Sequence, residues 1–247
     1  MTGASRGIGR AIAVRLAHDG ANVVLTGRDE SLLQQAVSEI GSSRAAFLSA
    51  DLREKEAAAS VVTFAYDTFG AVDILVNNAG ATKRGEFEDL TDEDFIDGFT
   101  LKYFGAVRMT RAAWPHLKAS KGSLVNVSGA GGKTPGRQFA IGGSVNAALL
   151  SFTKAIAELG LKDGVQVNLV NPGTIRTGRF TGRLNALARE QNLEASTAEA
   201  AYIKEQKISR IGEPEDIAAL VAFIVSKDGS YMHGSLVDMD GGSTKSI

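Results

Sequence analysis

The sequence predicts an α/β fold, a doubly wound parallel sheet with helices on both faces. Three observations carry that expectation. Short β-branched or apolar runs recur at residues 21–26, 45–49, 73–77, 123–127, 165–170 and 235–239. Longer stretches of helical period lie between them. A glycine-rich loop, Thr2-Gly3-Ala4-Ser5-Arg6-Gly7-Ile8-Gly9, opens directly into the first such stretch. Strands separated by helices of this length require parallel crossovers, and those place helices on both sides of the sheet.

Each helix has its own apolar stripe. Ile8, Ile12 and Leu16 mark that of the first helix, Leu32, Leu33, Val37 and Ile40 that of the second, and Val61, Val62, Ala65 and Phe69 that of the third. Residues 174–210 form the one long stretch without a strand signal. It is polar, helical in places and bounded by Pro172-Gly173 and Gly212, and reads as a lid inserted before the last helix–strand unit. No repeat or low-complexity linker divides the chain. The 247 residues are expected to form a single dinucleotide-binding domain over 1–247, large enough to bury about 70–75% of the surface of the unfolded chain.

Composition narrows the function. Lys plus Arg number 27 and Asp plus Glu 28, a net charge of −1, which argues against nucleic-acid or membrane-surface partners because both need a basic excess. There is no cysteine, so disulfides, thiolate catalysis and cysteine-ligated zinc are excluded, in keeping with a cytoplasmic setting. His18, His116 and His233 are scattered, and no metal site is expected. The apolar run 218–225 near the C-terminus is far short of a membrane span, and the first six residues lack the apolar stretch of a signal peptide.

The loop spacing is G-x-x-x-G-x-G. Its glycines let backbone N–H groups approach a pyrophosphate, and the helix start adds about half a positive charge. An ordinary glycine turn has the same letters, so the loop gains weight only from its neighbours in the chain. At the end of the next strand comes Gly27-Arg28-Asp29, where an acidic side chain would hold a ribose 2′-hydroxyl or an arginine a 2′-phosphate. Arg28, with Arg6 as a second fork, favours NADP(H) over NAD(H). Asp29 reads as a helix cap, and a solvated loop role for Arg28 stays open.

With these residues the chain resembles the short-chain dehydrogenase/reductase family. The resemblance is carried by Thr2-Gly3-Ala4-Ser5-Arg6-Gly7-Ile8-Gly9, Asp51-Leu52, Asn77-Asn78-Ala79-Gly80, Asn171-Pro172-Gly173-Thr174-Ile175-Arg176-Thr177, Glu213-Pro214-Glu215-Asp216 and Asp240-Gly241-Gly242, in register along nearly the whole chain. It implies a Rossmann-like fold and a cofactor set of Gly3, Ser5, Arg6, Gly7, Ile8 and Gly9 in the loop, with Arg28 beside it. Asp51 and Leu52 would flank the adenine, and Asn78, Ala79 and Gly80 would line the cofactor beside the fourth strand. Pro172 and Gly173 complete the set, with Ile175 and Thr177 at the nicotinamide carboxamide. It also implies a homodimer or homotetramer through helices near 92–118 and 143–162.

The resemblance breaks at the chemistry. The family uses Tyr and Lys four apart on one helix, a Ser thirteen residues before the Tyr, and an Asn on the preceding helix. Here the Ser position falls on Gly129, the Tyr position on Gly142, the Lys position on Asn146 and the Asn position on Lys102, and no Tyr-x-x-x-Lys exists anywhere in the chain. Lys102 is the expected substitute acid, since a buried lysine can fall toward neutral pKa. Ser128 would bind a substrate oxygen and Asn146 the ribose. Replacing Gly142 with Tyr and Asn146 with Lys is then expected to raise activity. The family's first strand, about six apolar residues before Thr2-Gly3, is reduced to Met1. A fragment or mis-set start accounts for this, and the sheet is expected to carry a gap.

Gly132-Lys133-Thr134 lacks the first glycine of a P-loop, and Gly142-Gly143-Ser144-Val145-Asn146 lacks the last glycine of a nucleophile elbow. Arg176, Arg179, Arg183 and Arg189 load the lid and would suit an anionic small-molecule substrate, although a solvated amphipathic helix would carry them equally. The function expected is an NADP(H)-dependent oxidoreductase of carbonyl or alcohol substrates with a non-standard proton donor. The alternative is a catalytically inactive cofactor-binding protein, a sensor or partner subunit.

Overall fold

The computed structural model describes residues 1–245. Strand and helix alternate through α1 (Gly7–His18), β1 (Val23–Gly27), α2 (Glu30–Ile40), β2 (Ala45–Ser49), α3 (Ala57–Phe69) and β3 (Ile74–Asn77). They continue through α4 (Asp92–Gly98), α5 (Gly105–Ser120), β4 (Ser123–Val127), α6 (Ala140–Asp163), β5 (Gln166–Pro172), α7 (Gly178–Glu190), α8 (Ala195–Gln206), α9 (Pro214–Val225) and β6 (Leu236–Met239). All strand pairings are parallel, in the orders β1-β2 and β3-β4-β5-β6. The six sequence runs coincide with the six strands to within two residues at each end.

Helices cover both faces. On one, Ile12 and Leu16 of α1, Leu33 and Val37 of α2, and Ile217, Val221 and Ile224 of α9 pack over Leu25, Val125 and Val170. On the other, Val61 and Val62 of α3 and Met109, Ala113 and Leu117 of α5 pack over Leu75, Leu124 and Val167. The segment 174–210 folds as the pair α7 and α8 with its own small core of Phe180, Leu184, Ala188, Ala198, Ile208 and Ile211. One helical stretch, residues 137–163, is long and apolar enough to cross a membrane by length and composition, a match not expected from the sequence. Its buried side, including Ile141, Val145, Leu149, Thr153 and Ala157, packs against the sheet, with α6 directly on β5.

The expected gap is present but smaller than the sequence suggested. Residues 1–4 act as a stub of a central strand at the end of the sheet where the site lies. The Met1 amine donates to Val24 O (2.9 Å), Thr26 N to Met1 O and Ala4 N to Thr26 O. On the other side, Thr2 N donates to Val76 O. The Thr2 hydroxyl oxygen accepts from Asn78 N (2.8 Å) and Ala79 N (3.0 Å). Below the stub, β1 and β3 stand apart around an apolar cavity of about 320 Å³ lined by Val23, Val24, Ile74, Leu75, Val61 and Met109, among others.

Thr2 is 1% exposed, so Thr2→Val leaves two backbone N–H groups without an acceptor. The expected loss is about 1–3 kcal/mol, measured as a lower urea midpoint with unchanged m-value.

Candidate active site

Every strand ends on one side of the sheet, and the segments just beyond those ends line two adjoining cavities. The first, about 760 Å³, runs along Gly3, Ser5, Arg6, Gly7, Ile8, Gly9, Arg28, Asp51, Leu52, Asn78, Ala79, Gly80 and Thr177. The second, about 700 Å³, holds Lys102, Ser128, Gly129, Asn146, Pro172, Gly173 and Ile175, and shares Ile8, Asn78, Gly80 and Thr177 with the first. A crevice at the carboxyl ends of parallel strands is where such folds bind ligands.

The glycine loop is built for close approach. A Cβ on Gly9 would lie 2.1 Å from Gly3 O and 2.6 Å from Asn78 Nδ2, so only glycine lets α1 start against the loop. The N–H groups of Gly7, Ile8 and Gly9 find no protein acceptor among the described residues. They face the first cavity as an anion cradle, and a dinucleotide's pyrophosphate fits that donor set. Asp29 caps α2, accepting from Leu32 N (3.1 Å) as expected. Arg28 stands at the cavity with its side chain 61% exposed and a loose 3.7 Å contact to Asp51. Its guanidinium is therefore available at the rim, where the sequence places a phosphate.

Lys102 sits in a π-helical turn, Phe99–Phe104, between α4 and α5, a widened turn of the sort found at functional sites. Its stem crosses Gly80, where a Cβ would be 2.8 Å from Lys102 Cδ. Its ammonium donates to Ser128 O (2.9 Å) and Asn146 Oδ1 (2.6 Å). Both acceptors are neutral. Burial, then the like charge of Arg179, lower the Lys102 pKa to about 7.

The other two expected chemical residues are both held by protein contacts. The Ser128 hydroxyl donates to Asn146 O (3.2 Å), so its proton is engaged with α6 rather than free for a substrate. Asn146 is held by Lys102 through its carbonyl oxygen, which leaves only its amide NH₂ for a ribose. Gly142 does not line the cavity. A Cβ there would lie 2.0 Å from the Phe139 ring, three residues earlier. The Phe139 ring occupies the space beside Gly142 that the side chain of a Gly142→Tyr variant would enter.

The lid arginines divide. Arg176 is spent on Glu199 (2.7 Å) and Glu213 (2.8 Å), and Arg189 does not line the cavity, whereas Arg179 and Arg183 do. Three cavity residues carry no clear signal in the sequence. Arg84 stacks 3.9 Å above the Phe139 ring, and the Tyr202 hydroxyl shares a hydrogen bond with Thr174 (3.1 Å). The third is Phe139 itself, marked only by its spacing of three from Gly142. His116 packs on the Tyr66 ring. Among the described residues no cluster of acidic or histidine side chains could hold a metal.

Comparison with known proteins agrees with this architecture. A family model described as enoyl-(acyl carrier protein) reductase matches residues 3–244. An uncharacterized oxidoreductase of Mycobacterium tuberculosis is 34% identical over 99% of the chain and 90% of its own length. L-Sorbose reductase from Gluconobacter frateurii, solved with NADPH and L-sorbose, superposes with TM-score 0.95 at 30% identity, covering 100% of this chain and 96% of that one. A short-chain oxidoreductase from Pseudomonas aeruginosa PAO1, described as containing an atypical catalytic centre, superposes with TM-score 0.91 at 27% identity, covering 100% and 96%.

The packing of Phe139 on Gly142 sets a measurable expectation. Gly142→Tyr alone overpacks this contact and lowers stability by about 1–3 kcal/mol. Adding Phe139→Ala recovers most of that loss, read as the melting temperature of the double variant against each single one.

Proposed function

Because this chain belongs to the short-chain dehydrogenase/reductase family, we propose that it is an NADP(H)-dependent oxidoreductase interconverting a small carbonyl compound and its alcohol, with Lys102 as the proton donor. The observation that carries the reading is the Lys102 tip, held by two neutral acceptors at the cavity wall with its pKa lowered to about 7. The chain is read as one domain, with α7 and α8 as its lid. Its substrate is a small molecule, anionic where the lid arginines meet it. Neither nucleic acid nor membrane is a partner, and the setting is cytoplasmic. The exposed Ile96, Phe104, Leu159 and Leu161 lie on the helices through which a homodimer or homotetramer would form.

The cofactor site follows from the donor set. The free N–H groups of α1 would hold the pyrophosphate, with Arg28 and Arg6 at a 2′-phosphate. Asp51 and Leu52 would flank the adenine, and Asn78, Ala79, Gly80, Pro172, Gly173, Ile175 and Thr177 would line the rest. The nicotinamide, when bound, supplies or accepts the hydride. The remaining work belongs to this chain. An ammonium has three N–H bonds. Two of those on Lys102 are given to Ser128 and Asn146, which fixes the direction of the third. In reduction that third N–H donates to the substrate oxygen and its proton moves there. In oxidation the neutral amine takes it back.

Relative to the family pattern, Lys and Asn have exchanged places between Lys102 and Asn146, so an ammonium is retained while the tyrosine is lost. The alternative, a cofactor-binding protein without turnover, draws on the glycines at positions 129 and 142.

Calorimetry and kinetics separate the two. NADPH is expected to bind more tightly than NADH, and Arg28→Ala should weaken NADPH by about tenfold while leaving NADH unchanged. Reduction needs protonated Lys102, so its rate should fall as pH rises through about 7. Oxidation should rise over the same interval. Lys102→Met should keep NADPH binding, lose about 10²–10⁴ in kcat and flatten both profiles. NADPH binding with no turnover at any pH would establish the alternative. Turnover unaffected by Lys102→Met would transfer the role to another acid, such as Tyr202 in the same cavity.

A further inference from the structure

The second cavity is charged in one sense only. Its lining contains Arg84, Lys102, Arg179 and Arg183, and among its described lining residues there is no Asp or Glu. Arg179 donates to Gly80 O (2.7 Å). Arg84 and Arg183 have no carboxylate within ion-pairing distance among the described residues, in contrast to Arg176 on the same lid, which has two.

Arg84 and Arg183 come from separate segments, the loop after β3 and helix α7, and converge on one opening. Each guanidinium rests against an aromatic ring, Arg84 at 3.9 Å from Phe139 and Arg183 at 5.7 Å from Phe180. Stacking on the flat face holds a guanidinium while leaving its N–H edge free, the edge that pairs bidentately with carboxylate or phosphate. The two cations are also close enough to repel. Burial and then Arg183 hold Arg84 below the usual arginine range, a repulsion that a bound anion would relieve. Both are rim residues, whereas the Lys102 tip is turned inward.

We propose that Arg84 and Arg183 are specificity-determining residues which bind a terminal oxyanion, carboxylate or phosphate, of a carbonyl substrate whose reacting end lies at Lys102. This rests on the second cavity being the substrate site of the proposed oxidoreductase. It goes beyond that reading by fixing the charge of the substrate, the end that carries it and the residues that read it. The sequence alone points to lid arginines only, two of which do not serve the cavity.

The test is calorimetric and needs no turnover. Short linear oxo acids are titrated beside their methyl esters, and dihydroxyacetone phosphate beside dihydroxyacetone, into wild type, Arg84→Ala/Arg183→Ala and Arg84→Lys/Arg183→Lys, each with and without NADPH. In wild type at least one charged member should bind about tenfold more tightly than its neutral counterpart, with the preference shrinking as salt is raised. The alanine pair should bring that ratio to about one by weakening the charged ligand alone, and the lysine pair should keep part of it. The series with the larger ratio identifies the oxyanion as carboxylate or phosphate. The inference is overturned if no pair differs by more than about twofold, or if the alanine variant weakens charged and neutral ligands equally. Protein that binds NADPH but ignores charge sinks this inference alone. Protein that binds no NADPH sinks the proposed function, while the charge ratio still reports on the two arginines.

Discussion

The contacts of Thr2 are the constraint on which the rest of the site depends. At the site end, residues 1–4 join β1 to β3. One hydroxyl oxygen accepts from the N–H groups of both Asn78 and Ala79, while Asn78 Nδ2 donates to Thr2 O and Gly3 O. These bonds lock the glycine loop to the end of β3. They fix where α1 begins, and so where its free N–H groups aim. They also fix Gly80, over which Lys102 must pass. An apolar cavity lies directly beneath.

The electrostatics of the cleft follow from that placement. The start of α1, Arg6, Arg28, Arg179, Lys102, Arg84 and Arg183 spread positive potential from one cavity into the other, although the chain as a whole carries a net charge of −1. The second cavity has no carboxylate among its described lining residues, whereas Asp29, Glu30 and Asp51 line the first. Such a separation of charge concentrates anions where they are to bind. It also holds the Lys102 proton loosely, because an ammonium among arginines and neutral carbonyls has nothing to keep it charged.

How much of this is legible from sequence depends on how local each feature is. The strands and the glycine loop are readable because β-branched runs and close backbone approach act over a few consecutive residues. Residues such as Gly9, Asp51 and Thr177 therefore come together in one cavity as expected. Asp29 is readable as a cap for the same reason. Arg84 and Phe139 are not, because their importance lies in a contact between segments more than fifty residues apart. The pairing of Arg176 with Glu199 and Glu213 is equally hidden, since a charge run on a helix does not say which members meet an acid. The role of residues 1–4 is understated by sequence because side-chain acceptance by Thr2 has no periodicity to betray it.

On the proposed reading, Lys102 and Asn146 hold the positions at which the family pattern has Asn and Lys. In the family pattern an ammonium on the long helix lowers the acidity threshold of a phenol four residues away. Here α6 carries Asn146 instead, and the ammonium arrives from the π-turn before α5 to meet it at 2.6 Å. The amide orients the ammonium but cannot compensate its charge, so burial acts on the lysine itself and moves it into the range where it can exchange a proton near neutral pH. A Cβ at position 142 would lie 2.0 Å from the Phe139 ring, so the two positions are packed together.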